Sequence, residues 1–184
     1  MKKFAGLVAA LSVAMLSTAF AADEVKSGLP VGEFVPAFNV RDVTGPNVGK
    51  TLCYRCAYGA RPVVTIFTRD MNANVNDLVK QIDDKVGANK DEKMAAFVVV
   101  LSDDPDAVEP KLKSLAKDSK ILNTPLTIIE NPAGPPEYKL SKDAEVTVMM
   151  WVGSEVKVNQ SFAKGKLDKK AIEGLVAETK KILE

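Results

Sequence analysis

The chain has 184 residues, its 25 lysines and arginines nearly balance its 24 acidic residues, and it contains no histidine. A net charge of +1 gives no reason to expect a nucleic-acid partner. The missing histidine excludes Ser-His-Asp and Cys-His catalysis, histidine-ligated zinc and C-x-x-C-H haem attachment. A chain of this length suits one domain with its own core.

The first residues are typical of a secretory signal peptide. Lys2 and Lys3 precede an apolar run over residues 4–16, and Ala19-Phe20-Ala21 is a small-x-small cleavage site. We expect cleavage after Ala21, which removes the two lysines and changes the net charge from +1 to −1. The expected location is a bacterial periplasm. Nothing later is apolar enough to span a bilayer, so no membrane insertion is expected after cleavage.

The remaining chain divides into a flexible segment over residues 22–31 and one domain over residues 32–184. At the start of the domain we expect a β-hairpin, with strands over 34–40 and 50–53 around the turn Thr44-Gly45-Pro46-Asn47. Apolar runs predict buried strands at 62–67, 95–101 and 125–129.

Two amphipathic helices separate these strands. The first should begin at Asn72 or Asn74 and end at Gly87, and the second should begin at Asp104 or Asp106. A second hairpin follows, with strands over 146–152 and 156–162 around Gly153-Ser154, and a last helix is capped by Asp168. Parallel crossovers followed by an antiparallel hairpin predict a mixed sheet with helices on both faces, an α/β fold.

Three segments resemble the redoxin branch of the thioredoxin-like superfamily. "ARPVVTIF" is similar to its first core strand, "PLTII" to the strand that redoxins insert, and "EVTVMMWVGSEVKVNQSF" to its late hairpin. The resemblance covers about residues 32–184. It implies a three-layer α/β/α fold with a mixed central sheet and an N-terminal β-hairpin.

The sequence also departs from that branch. The resemblance implies a redox cysteine after the first core strand, but residues 68–75 contain no cysteine. It also implies a proline before the late hairpin, where this chain has Val146-Thr147. Neither peroxidase activity nor ordinary thioredoxin activity is therefore expected.

Cys53 and Cys56 are the two cysteines of the chain, and they stand before the first core strand rather than after it. Since a strand of this length spans roughly 20 Å, we expect them near the pole opposite the usual thioredoxin site. Three basic residues stand near enough in sequence to favour a thiolate, namely Lys50, Arg55 and Arg61. Two tyrosines, Tyr54 and Tyr58, stand near enough to shape a docking surface.

Three interpretations of Cys53 and Cys56 are open. The pair is a structural disulfide in a non-catalytic binding module, or a redox-active dithiol in a periplasmic relay or accessory protein, or a Cu(I) ligand pair. The redox hypothesis gives the most concrete function, with a protein partner that is an oxidoreductase or a client, and the structural disulfide is its main alternative. We expect no cofactor. The sequence leaves the substrate, the oligomeric state and catalytic turnover open.

Overall fold

The computed structural model describes residues 25–184, so the predicted signal peptide over 1–21 lies outside the described residues. Residues 25–184 form seven strands and four α-helices, which are numbered here in chain order. The elements are β1 Val40–Asp42, β2 Thr51–Leu52, α1 Tyr54–Tyr58, β3 Val63–Thr68, α2 Ala73–Ala88, β4 Ala95–Ser102, α3 Pro105–Asp118, β5 Leu126–Glu130, β6 Ala144–Val152, β7 Glu155–Ala163 and α4 Lys169–Glu178. Short 3-10 helices lie at Pro136–Tyr138 and Thr179–Ile182.

All seven strands form one mixed sheet in the order β2-β1-β5-β4-β3-β6-β7. The strands β3, β4 and β5 run parallel, and β6 and β7 continue the sheet antiparallel beyond β3. The strands predicted over 62–67, 95–101 and 146–152 are present as β3, β4 and β6, which are neighbours in the sheet, and every residue of β3 is buried. This confirms the predicted mixed sheet and the predicted α/β fold class.

The two faces of the sheet are covered by unequal layers. Alternate residues of β3 and β4, such as Val64 and Val98, pack against apolar residues of α2, α3 and α4. The side chains between them, such as Phe67 and Phe97, face a second apolar cluster that includes Tyr54 of α1 and Tyr138 of the 3-10 helix. The face that carries the cysteine segment is thus covered by short elements rather than by long helices.

The N-terminal hairpin is present but shorter than predicted. Its strands β1 and β2 pair antiparallel, and β1 also pairs antiparallel with β5. The strand expected over 34–40 is wrong for most of its length, since Phe34 makes only an isolated bridge to Glu155. Pro36 stands within that stretch and has no N–H to donate to a ladder.

The helix starts follow the capping rules, whereas one helix end does not. Asn72, Asp104 and Asp168 accept hydrogen bonds from the first turns of α2, α3 and α4. Helix α2 runs through the predicted stop at Gly87 and has its C-cap at Asn89. Pro110 lies inside α3, beyond its first turn, where its missing N–H leaves one helical hydrogen bond unmade.

Residues 25–31 make contacts that the sequence did not predict. Ser27 and Leu29 are buried, and the Ser27 hydroxyl lies 2.7 Å from the Thr147 hydroxyl of β6. The Ser27 carbonyl accepts hydrogen bonds from Asn159 and Ser161 of β7. This part of the segment 22–31 therefore lies against the last two strands of the sheet.

Candidate functional site

Cys53 and Cys56 are joined by a disulfide, with their Cα atoms 5.2 Å apart. Cys53 is the N-cap of α1, and its extended backbone turns the chain into the helix that carries Cys56. Helix α1 ends at Gly59, whose φ of 59° favours glycine. The cap and the short helix together bring the two sulfur atoms within bonding distance.

The buried end of α1 is held by the side chain of Tyr54. Its hydroxyl donates a hydrogen bond of 2.7 Å to Asp42 Oδ2 at the end of β1. The Asp42 carboxylate is itself buried, and it also accepts the N–H groups of Gly45 and Asn47 at 2.7 and 2.8 Å. Burial, and then the hydrogen bond to Asp42, raise the pKa of Tyr54 far above its usual value. Tyr54 therefore stays a protonated donor at any physiological pH.

Further side chains of this segment attach it to the sheet. The rings of Tyr54 and Tyr58 lie 5.4 and 6.1 Å from the ring of Phe97, and the Tyr58 hydroxyl donates to the Ala96 carbonyl at 3.3 Å. Arg61 lies over the Tyr58 ring and donates to the Lys93 carbonyl at 2.6 Å. The prediction that Tyr54 shapes a docking surface is wrong, because its ring is 3% exposed and belongs to the core.

Arg55 and Arg61, which were expected to favour a thiolate, donate hydrogen bonds to backbone carbonyls instead. Arg55 Nε donates to the Val35 carbonyl at 3.1 Å, and Arg61 donates to the carbonyls before β4. The donor that the structure places on a sulfur is the Cys56 N–H, 3.1 Å from Cys53 Sγ. A donor at this position favours the thiolate form of Cys53 when the pair is reduced.

The two cysteines differ in exposure. Cys56 is exposed, together with Ala57, Gly59 and Ala60, whereas Cys53 is half-buried at the base of the helix. The disulfide thus lies at the surface with one side accessible to another molecule. A sulfur that another thiol can reach is a requirement for disulfide exchange.

The segment between the disulfide and β3 lies at the opposite end of β3 from the usual redoxin site. Ala60 accepts a hydrogen bond from Gly153 N at 3.3 Å, and Arg61 binds the residues just before β4. Since β3 has six residues and spans about 20 Å, residues 69–74 begin at the far end of that strand.

The usual site contains an amide and carboxylate network in place of a sulfur. Asn72 Oδ1 accepts the N–H groups of Asn74 and Val75 at 3.1 Å, and Asn72 Nδ2 donates to Glu145 Oε1 at 2.7 Å. Glu145 Oε2 accepts the Gly165 N–H at 2.9 Å. These groups line a shallow cavity of about 180 Å³.

Sequence reasoning found Asn72 as a cap but missed Glu145 as its partner. The two residues are 73 positions apart, and no local pattern joins them. The available signal was an acidic residue near the start of a largely apolar strand, β6.

The methionines near the sheet centre give no support to the copper interpretation. Met149 and Met150 are fully buried core residues. Among residues 25–184, no group of three or more cysteine, aspartate and glutamate residues is arranged to hold a metal ion. Within the same range, no helix combines the length and apolar character that a membrane crossing requires.

No protein-family model matches the sequence, and no curated protein matches it significantly. Solved structures do match. One, provisionally assigned as a protein disulfide isomerase from Bacteroides thetaiotaomicron, has 17% identity and a TM-score of 0.64 over 86% of this chain and 94% of its own. Another, provisionally assigned as the thiol:disulfide interchange protein DsbE from Chlorobium tepidum, has 12% identity and a TM-score of 0.65 over 85% and 99%. A yeast mitochondrial 1-Cys peroxiredoxin has 11% identity and a TM-score of 0.56 over 83% and 78%.

These likenesses, together with the sheet order and the late hairpin, define a protein of the thioredoxin-like fold. This confirms the thioredoxin-like fold that the sequence resemblance implies. The C-x-x-C pair of this chain precedes β3, whereas residues 68–75 at the end of that strand carry no cysteine.

Proposed function

We propose that this is an exported, periplasmic thioredoxin-fold protein whose Cys53–Cys56 pair exchanges electrons with the thiols of a partner protein. In this role it serves as a redox relay or as an accessory to an oxidoreductase. The neighbours assigned to thiol:disulfide interchange and the secretory character of residues 1–21 support the proposal.

The observation that carries the proposal is that the cysteine segment is attached to the fold without its disulfide. Tyr54 binds Asp42, Tyr58 binds the Ala96 carbonyl, and Arg55 binds the Val35 carbonyl. A structural disulfide has most to contribute where a segment has few other contacts. Here the disulfide can open while α1 keeps its position, and that is what a reversible redox pair needs.

The surface beside the disulfide suits a protein partner. Phe34 has 67% of its surface exposed, and it directly precedes Val35, whose carbonyl is bound by the neighbour of Cys56. Arg55 thus connects the segment that carries this exposed aromatic side chain to the cysteine helix, and the side chain offers a partner an apolar contact. The partner class that we propose is an oxidoreductase or a client protein with exposed thiols.

The reduction potential of the Cys53–Cys56 pair tests the proposal. The purified protein, starting at Ala22, is equilibrated at pH 7 with graded mixtures of reduced and oxidised glutathione, and of reduced and oxidised dithiothreitol for lower potentials, and free thiols are counted by a maleimide mass shift. We expect a potential between about −120 and −270 mV, the range of thiol–disulfide oxidoreductases. The Cys53→Ser/Cys56→Ser variant is the control and should show no shift in any buffer.

Two other results would replace the proposal. A potential below about −300 mV would make the disulfide structural and favour a non-catalytic binding module. A pair that stays reduced in air and binds Cu(I) tightly would favour metal handling.

A further inference from the structure

Cys53 and Cys56 differ in exposure, and this difference determines which of the two sulfur atoms another thiol can reach first. Cys56 is exposed in the middle of α1, and Ala57, Gly59 and Ala60, which follow it, are exposed as well. Cys53 is half-buried between Leu52 and the buried Tyr54. An incoming thiol therefore meets Cys56 first.

The hydrogen bonding of the pair points to the same order. The Cys56 N–H lies 3.1 Å from Cys53 Sγ, so it is placed to stabilise negative charge on Cys53. In disulfide exchange the better-stabilised thiolate leaves faster, and the attacked sulfur must be accessible. Accessibility selects Cys56 as the attacked sulfur, and the hydrogen bond selects Cys53 as the leaving sulfur.

We propose that a partner's thiolate attacks Cys56 Sγ and that Cys53 leaves as the thiolate. This inference rests on the proposed function and adds the order of its steps. The partner's sulfur forms a bond with Cys56 Sγ while the Cys53–Cys56 bond breaks, and the electron pair of that bond stays on Cys53. A second thiolate of the partner then attacks the partner sulfur that is bonded to Cys56 Sγ, and Cys56 is released as a thiolate. The partner is oxidised by two electrons, and the Cys53–Cys56 pair is reduced by two.

The sequence provides a direct way to see which sulfur is attacked. Trypsin cleaves after Lys50, Arg55 and Arg69, while the bond from Arg61 to Pro62 resists cleavage, so the two cysteines fall in separate peptides. Oxidised protein is mixed with reduced glutathione, quenched with acid after short times, alkylated with N-ethylmaleimide and digested. Mass spectrometry then assigns glutathione and maleimide to each cysteine.

Extrapolated to zero time, glutathione is expected on Cys56 and maleimide on Cys53, with at least a tenfold excess over the reverse. The same reaction in concentrated urea is the control, because unfolding removes the difference in exposure and should bring the ratio near one. Glutathione mainly on Cys53, or an equal distribution in the folded protein, would overturn the inference while leaving the proposed function intact. If the folded protein forms no adduct but the unfolded protein does, both the inference and the redox function are wrong.

Discussion

Reducing the Cys53–Cys56 disulfide is expected to change the free energy of unfolding by less than about 1 kcal/mol. The cysteines are three residues apart, so the closed loop is short and its chain-entropy contribution is only about 2 kcal/mol. In the reduced protein the Cys56 N–H can bind a Cys53 thiolate, and a hydrogen bond to a charged group is worth about 1.5–3 kcal/mol. The two contributions nearly offset one another.

The assay is urea unfolding of the oxidised protein, of the reduced protein and of the Cys53→Ser/Cys56→Ser variant. The chain has one tryptophan, Trp151, which is fully buried, so its fluorescence reports loss of the core. Serine at position 53 can keep the N-cap, but its hydroxyl is neutral, so the double serine variant should be less stable than the reduced protein by about 1 kcal/mol. The Cys53→Ala/Cys56→Ala variant loses the cap and should be less stable than the double serine variant by about 0.5–2 kcal/mol.

An oxidised protein that is more stable than both the reduced protein and the double serine variant by about 2 kcal/mol or more would refute this reasoning. The disulfide would then be a structural support of the fold. By linkage, a gap of about 2 kcal/mol would also make the reduction potential about 40 mV more negative than that of the unfolded chain. The two measurements therefore check each other.

Three further outcomes are expected. Gly45→Ala should destabilise the protein by about 1–3 kcal/mol in the same urea assay, because the new Cβ would collide with the Tyr54 hydroxyl and lie 2.7 Å from an Asp42 carboxylate oxygen. The control is Gly174→Ala, in an open position of α4, which should be neutral or stabilising by up to about 1 kcal/mol. Burial is the main cause of the raised pKa values of all three tyrosines. The free energy of unfolding should therefore be retained below their usual pKa of 10.0 and fall above it, with a slope that approaches about 1.4 kcal/mol per pH unit for each tyrosine. Tyrosinate absorbance that appears near pH 10 while the protein is still folded would contradict this. Hydrogen peroxide should be consumed no faster than by the Cys53→Ser/Cys56→Ser variant, since residues 68–74 contain no cysteine; thiol-dependent turnover above that control would show the expectation to be wrong.

The central strands could be predicted because both of their faces are buried. A strand covered on both sides must be apolar throughout, so β3 and β4 appear in the sequence as continuous apolar runs. The early hairpin was harder to predict, because β1 and β2 are only three and two residues long. Strands that short carry little periodicity, and their position is set by pairing with β5 and by the turn that Asp42 organises.

The C-x-x-C motif could be found in the sequence, but its surroundings could not. The hydrogen bond between Tyr54 and Asp42 joins positions 12 residues apart, and the contact of Arg55 with Val35 joins positions 20 apart. Tyrosines beside a C-x-x-C pair suggested an exposed surface. Only the packing of α1 on the sheet shows that Tyr54 belongs to the core and that Cys56 is exposed.

The position of the disulfide also bears on the reduction potential expected for the Cys53–Cys56 pair. At the start of the 16-residue helix α2, the N–H groups of Asn74 and Val75 are already taken by the side chain of Asn72. The Cys53–Cys56 pair instead has the five-residue helix α1, with one N–H on Cys53 Sγ. A single N–H stabilises the thiolate less than the contacts of strongly oxidising pairs do, and a dithiol whose reduced form is less stabilised is more reducing. Within the range of oxidoreductases, the potential should therefore lie nearer about −270 mV than about −120 mV. A value at the oxidising end would mean that Cys53 has a further stabilising contact in the reduced protein beyond the single N–H of Cys56.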